Sequence, residues 1–336
     1  MRNTKRSLSL TLGLVLMALL SCLCVAASLS LGSKPLPLSA IWQHYWLGDQ
    51  GSYYDLVINA REPRTFIGLM AGAALALAGT VTQGLLRNPL GDPGLLGVNA
   101  GAATAVVFFS FIPVLDQLPR FWTAFIGAGL STLLFYLLSG SSRNTNPVRL
   151  VLTGAAINAC LFAVVQGMVL MNAQAMDSYR FWTVGSLSIM SLREASLLIP
   201  YLLVAIVLTL SLSASLNVMV FGEGIASSLG ANVARTRILS LLSATMLAAG
   251  ATAMAGPIAF IGLAAPHLMR ALVGSDFRWL LPYCLFAGSC LLLISDVVGR
   301  LLIASEEVMV GIITAALGAP LLYLVAKNRT QKIMME

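Results

Sequence analysis

The stretch "RTFIGLMAGAALALAGTVTQGLLRNPLGDPGLLGVNAGAA", from Arg64 to Ala103, decides how the rest of the chain reads. Residues 65–86 carry no charge and are mostly apolar. A helix that crosses a bilayer needs about 20 such residues. Asn88-Pro89 and Asp92-Pro93-Gly94 then break the run, and Pro93 suits a helix start because its φ is already fixed near the helical value. A second apolar run follows at once. Two spans joined by a short turn are expected, and the spacing of Gly68/Gly72 and Gly97/Gly101 predicts that these two spans pack tightly.

The same pattern repeats along the chain. Of 336 residues, 58% are hydrophobic and 10% charged, against about 25% charged in soluble domains; the mean hydropathy is +0.88. Ten spans are expected, at 8–31, 64–84, 95–113, 119–138, 149–172, 196–216, 238–255, 257–273, 280–299 and 308–326. No polar stretch reaches the roughly 50 residues of a soluble domain, so residues 1–336 form one all-α transmembrane domain. The start, "MRNTKRSLSLTLGLVLMALLSCLC", resembles a signal peptide, but the spans that follow favour an uncleaved first helix. The five cysteines lie in apolar runs and act as small hydrophobes.

Ten spans put both termini on one side. With the N-terminus in the cytoplasm, thirteen of the twenty Lys and Arg residues fall inside, as the positive-inside rule requires. The net charge of +7 is thereby explained without nucleic acid. On this map "NVMVFGEGIASSLGANVARTR", Asn217–Arg237, lies in the cytoplasm between spans six and seven. Ile225, Leu229 and Val233 recur every four residues, as on one helix face. Gly230 favours two short helices over one long one, since interior Gly costs about 1 kcal/mol. A helix lying on lipid headgroups is one reading. Docking to a protein is the other, and the lack of a dense Lys/Arg face, with only Arg235 and Arg237 at the end, favours it.

Catalytic chemistry is sparse. The four lysines sit in no Gly-rich loop before Ser or Thr, so there is no P-loop. His44 and His267 fall on opposite sides of the expected membrane, which argues against a shared metal site. Asp296 and Arg300, four apart near the outer end of span nine, can neutralise each other on one helix face. Arg61 and Arg64 in "REPR" precede span two, where Pro63 fixes the chain direction. If the helices converge, Arg61, Arg64 and Arg300 form an outer guanidinium cluster suited to carboxylates. One buried Asp is thin support for an ion-coupled secondary transporter, which stays open as an alternative, as does a scaffold subunit.

Taken in order, "REPRTFIGLMAGAALALAGTVTQGLLRNPLGDPGLLGVNAGAA", "GPIAFIGLAAPHLMRALVG", "SDVVGR" and "LGAP" resemble the permease subunits of bacterial ABC importers for ferric siderophores, haem and cobalamin. The resemblance runs from Arg61 to Pro320. "DPGLLGVNAGA", "RFWTVGSL", "VARTR" and "GSDFRWLLP" look most like the ferric-enterobactin type. The resemblance implies a multi-pass protein of the bacterial inner membrane, paired with a second permease subunit as a heterodimer or homodimer. It also implies two ATPase subunits, which carry the ATP and Mg that this chain lacks, and a periplasmic binding protein that delivers a ferric siderophore. Phe221, Gly222, Ile225, Ala226, Leu229, Gly230, Val233 and Arg235 would then form the element that couples to the ATPase. Arg61, Arg64 and Arg300 would meet acidic side chains of the binding protein.

Overall fold

The computed structural model describes residues 2–48, 51–112, 118–139, 147–302 and 308–320. The end of the tenth expected span (321–326), the end of the third (113), Arg143, Lys327, Arg329 and Lys332 lie outside the described residues. Those described form helices without a strand. In chain order they are α1 (Arg2–Ser30), α2 (Leu38–Leu47), α3 (Tyr53–Leu86), α4 (Val98–Ser110), α5 (Arg120–Ser139), α6 (Pro147–Met171), α7 (Ala173–Val184) and α8 (Leu192–Leu197). They continue with α9 (Ile199–Ser211), α10 (Ser213–Met219), α11 (Glu223–Ser228), α12 (Val233–Ala255), α13 (Ile261–Val273), α14 (Phe277–Leu302) and α15 (Val310–Pro320).

Each expected span contains a helix. Six are long and apolar enough to cross a membrane on their own, and α9 with α10 makes a seventh, bent by 49°. The helices α4, α13 and α15 are shorter. In two of them the early turns of the expected span are built differently. Pro93–Leu96 is a 3-10 turn ending at Gly97 (φ 83), and residues 256–260 run into α13 through Phe260 at φ 71. In both places a left-handed residue, Gly97 or Phe260, stops the α-helix from extending back into the preceding turn.

The second span starts eleven residues earlier than expected, so Pro63 lies inside α3 rather than before it. A capping box sets the true start. Ser52 Oγ accepts from the Asp55 N–H at 3.2 Å, and Asp55 Oδ2 accepts from the Ser52 N–H at 2.9 Å. This satisfies two of the helix's orphan donors. Its 34 residues give α3 a length of about 51 Å at 1.5 Å per residue. That exceeds the roughly 30 Å hydrocarbon core, and α3 is the buried axis of the bundle.

The expected tight packing of spans two and three is not found. Their glycines serve other neighbours. A Cβ at Gly72 would overlap the carbonyl of Gly288 on α14, and one at Gly79 would overlap Gly262 on α13. Gly101 on α4 meets Gly127 on α5 in the same way. Small-residue spacing shows that a backbone comes close, but not which one.

Candidate functional site

Two polar clusters mark the two ends of α3. At its C-terminal end lies the segment between α10 and α12. The chain leaves α10, turns at Gly222 (φ 103), forms α11 and reverses at Gly230 (φ 81). The Ala231 N–H donates to Ala226 O and the Gly230 N–H to Ser227 O, both at 3.0 Å. This bond pair closes a helix through a left-handed residue that glycine adopts without penalty. Asn232 then caps α12, accepting from the Arg235 N–H at 3.0 Å.

The reversal at Gly230 divides the expected apolar face. Phe221, Ile225 and Leu229, on α11 and its two flanks, are 66%, 53% and 66% exposed. Val233 belongs to the next helix and is half-buried, and Arg235 is exposed. Ala226 is 0% exposed, so it packs inward, whereas the sequence reading set it among the contact residues. Large apolar side chains exposed on a small polar element suit contact with a partner protein or with lipid.

The segment is tied down on both flanks by residues that sequence reasoning passed over. Glu223 forms an ion pair with Arg237 on α12, and its Oε1 lies 3.5 Å from Arg87 Nη2. Arg87 closes α3 in the left-handed conformation (φ 48), its N–H directed at Gln83 O and Gly84 O. On the other flank, Asn217 Nδ2 donates to Asp276 Oδ1 at 2.6 Å, and the Phe277 N–H donates to Asn217 Oδ1 at 2.9 Å. Nearby, Arg270 Nη1 donates to Gln83 Oε1 at 2.5 Å, and Gln83 Nε2 donates to Gly262 O at 3.3 Å. One signal was available: Gln83 is a polar residue inside an otherwise apolar span, a position that calls for a partner.

At the other end of α3 the three outer arginines do converge, but they turn inward. Arg61, Arg64 and Arg300 are only 7%, 6% and 4% exposed. Arg61 donates to Leu29 O at 2.8 Å, Ser30 O at 3.1 Å and Lys34 O at 2.7 Å. Arg300 donates to Ser28 O at 3.0 Å and to Leu31 O at 3.1 Å. These are carbonyls of the last turn of α1 and just beyond it, where orphan acceptors and the negative end of the helix dipole favour a cation. Asp296 sits between the remaining groups. Its Oδ1 accepts from Arg64 Nε at 2.8 Å, and its Oδ2 forms an ion pair with Arg300 Nη2 at 3.0 Å. The local Asp296/Arg300 pair is thus one half of a three-residue bridge that joins α14 to α3. Among the described residues, the expected outer cations Lys34, Arg180 and Arg193 are exposed. His44 Nδ1 lies 2.6 Å from Asp55 Oδ1, holding α2 against α3. Among the described residues, no group of three or more His, Cys, Asp or Glu side chains could hold a metal ion.

A helical bundle with many apolar spans, charge clusters at both ends and an exposed apolar ridge at one of them defines a multi-pass membrane protein. The chain belongs to the FecCD transport family, whose model matches residues 18–328. It is 41% identical to the ferric enterobactin transport system permease protein FepD of Escherichia coli, over 97% of this chain and 98% of the relative. It is 36% identical to the hemin transport system permease protein HmuU of Yersinia pestis, over 96% and 97%. A solved transporter assigned to the metal-chelate ABC type, in an inward-facing conformation, superposes with a TM-score of 0.80 at 28% identity, covering 94% of this chain and 98% of that one.

Proposed function

We propose that this chain is the permease subunit of an ATP-binding-cassette importer that moves a ferric siderophore of catecholate type from periplasm to cytoplasm across the bacterial inner membrane. The observation that carries this reading is the exposed Phe221–Ile225–Leu229 ridge, set on a short helix beside the end of the axial helix. The 41% identity to the ferric enterobactin permease, above the 36% to the hemin permease, supports the catecholate assignment. ATP and Mg belong to a separate ATPase pair, which docks on residues 221–235 and so brings energy into a chain without a P-loop. A second permease subunit completes the pathway, as a heterodimer or a homodimer.

At the outer end a periplasmic binding protein would dock through acidic side chains. Arg61, Arg64 and Arg300 would act from beneath the surface, holding α1, α3 and α14 in register, while exposed Lys34, Arg180 and Arg193 supply the attracting charge. Docking of this kind weakens with salt, because the charges that meet are solvent-exposed.

Uptake into proteoliposomes containing the full complex tests the reading. Radio-iron should enter with a ferric catecholate, in the presence of ATP and the ATPase, and several-fold less with a ferric hydroxamate or hemin, as should radio-cobalt supplied as cobalamin. Preference for one of those three would reassign the cargo within the family. Uptake indifferent to the ATPase would favour an ion-coupled transporter.

A further inference from the structure

The ridge explains where an ATPase would bind but not how its movement would reach the membrane. A six-residue helix flanked by two glycines of positive φ can pivot on its own. Something must tie it to the helices that have to move. On the α11 side that tie runs through Glu223, whose carboxylate meets Arg237 on α12 and Arg87 at the end of α3.

Of the two partners Arg87 is the more telling. It lies outside the docking segment, at the C-terminal end of α3, the longest of the described helices. Glycine contacts press the backbone of α3 against α13 at Gly79 and against α14 at Gly72, so α3 cannot slide or rotate without carrying its neighbours. Some 23 residues from Arg87, about 35 Å at 1.5 Å per residue, Arg64 is bonded to Asp296, and Arg61 caps α1. A displacement that enters at Arg87 therefore arrives at the outer cluster.

We propose that Glu223 and Arg87 form a coupling latch: positioning residues that make the docking helix and α3 move as one body, so that motion imposed at the Phe221–Leu229 ridge is delivered to the outer end of the bundle. This rests on the reading that an ATPase docks at that ridge. A merely local role is the obvious competitor, because an acid in the first turn of α11 also favours the helix dipole. Arg87 separates the two, since replacing it leaves that dipole untouched.

The test uses the full complex in proteoliposomes and reads the number of ATP molecules hydrolysed per chelate imported. Loss of folded protein lowers both rates together and leaves this ratio unchanged. A partly exposed ion pair is worth up to about 1 kcal/mol, so Arg87→Gln and Glu223→Gln should each raise the ratio by about two- to fivefold. ATPase subunits should co-purify with both variants in wild-type amounts, and Arg87→Lys should return the ratio most of the way. An unchanged ratio in Arg87→Gln and Glu223→Gln would overturn the latch. So would loss of ATPase binding in Arg87→Gln, which would make Arg87 part of the docking face. Failure of the wild-type chain to hold the ATPase would instead remove the docking reading, and the latch with it.

Discussion

Replacing Asp296 by Asn changes one heavy atom and removes the carboxylate that bridges Arg64 and Arg300. The size and shape of the site are kept, so the effect reports charge. Asp296 is fully buried, and its partners' side chains are 8% and 4% exposed. At an effective dielectric of about 20, each contact at this range contributes about 4 kcal/mol before desolvation is subtracted. Removing one partner of such a buried group costs about 3–5 kcal/mol net, because it strands charge in an apolar interior. At about 2.1 cal/mol/K per residue, a chain of this length unfolds with an entropy near 0.7 kcal/mol/K, so the melting temperature should fall by about 4–7 °C. The assay is thermal unfolding of the detergent-solubilised protein, followed by thiol or tryptophan fluorescence. Adding Arg64→Gln to Asp296→Asn should recover at least about a third of the loss, since one stranded cation is gone. A shift below about 1 °C for Asp296→Asn would refute the bridge, as would strict additivity in the double variant.

Three further outcomes follow from particular contacts. Ile225→Glu or Leu229→Glu should abolish ATPase co-purification and import while leaving the melting temperature within about 1 °C, because both side chains are exposed; Ala226→Glu should lower stability as well, since it forces a charge into a buried site. Gly72→Ala should destabilise the bundle by about 1–3 kcal/mol through overpacking against Gly288, measured by the same melt; an unchanged melt would show that the α3–α14 crossing can open freely. Ser52→Ala should cost about 1 kcal/mol by removing the cap that starts α3, and hydrogen exchange should show fraying of residues 53–56.

Much of the architecture is legible in the sequence because the bilayer imposes one strong rule: long uncharged runs must become helices. That rule locates the ten spans but says nothing of partners. Gly72 and Gly101 announce close approaches, yet only the three-dimensional path shows that the partners are Gly288 and Gly127. Arg61 and Arg300 illustrate a different gap. From sequence they are loop-side cations available to a partner, whereas in the fold they are consumed by the orphan carbonyls at the end of α1. Helix ends can be read as needing caps, but a cap drawn from more than 250 residues away, as Arg300 is from Ser28, leaves no local trace. The docking segment falls between these cases. Gly230 signalled its two-helix form, while the inward turn of Ala226 and the clamp at Glu223 depend on neighbours that spacing alone does not reveal.

The most direct measurement of the central claim is chelate uptake into vesicles under two separate interventions, collapse of the ion gradients with an uncoupler and omission of the ATPase. The account predicts that uptake driven by internal ATP persists at its full rate without the gradients and stops when the ATPase is withheld. Uptake that survives without the ATPase and disappears with the gradients would contradict it.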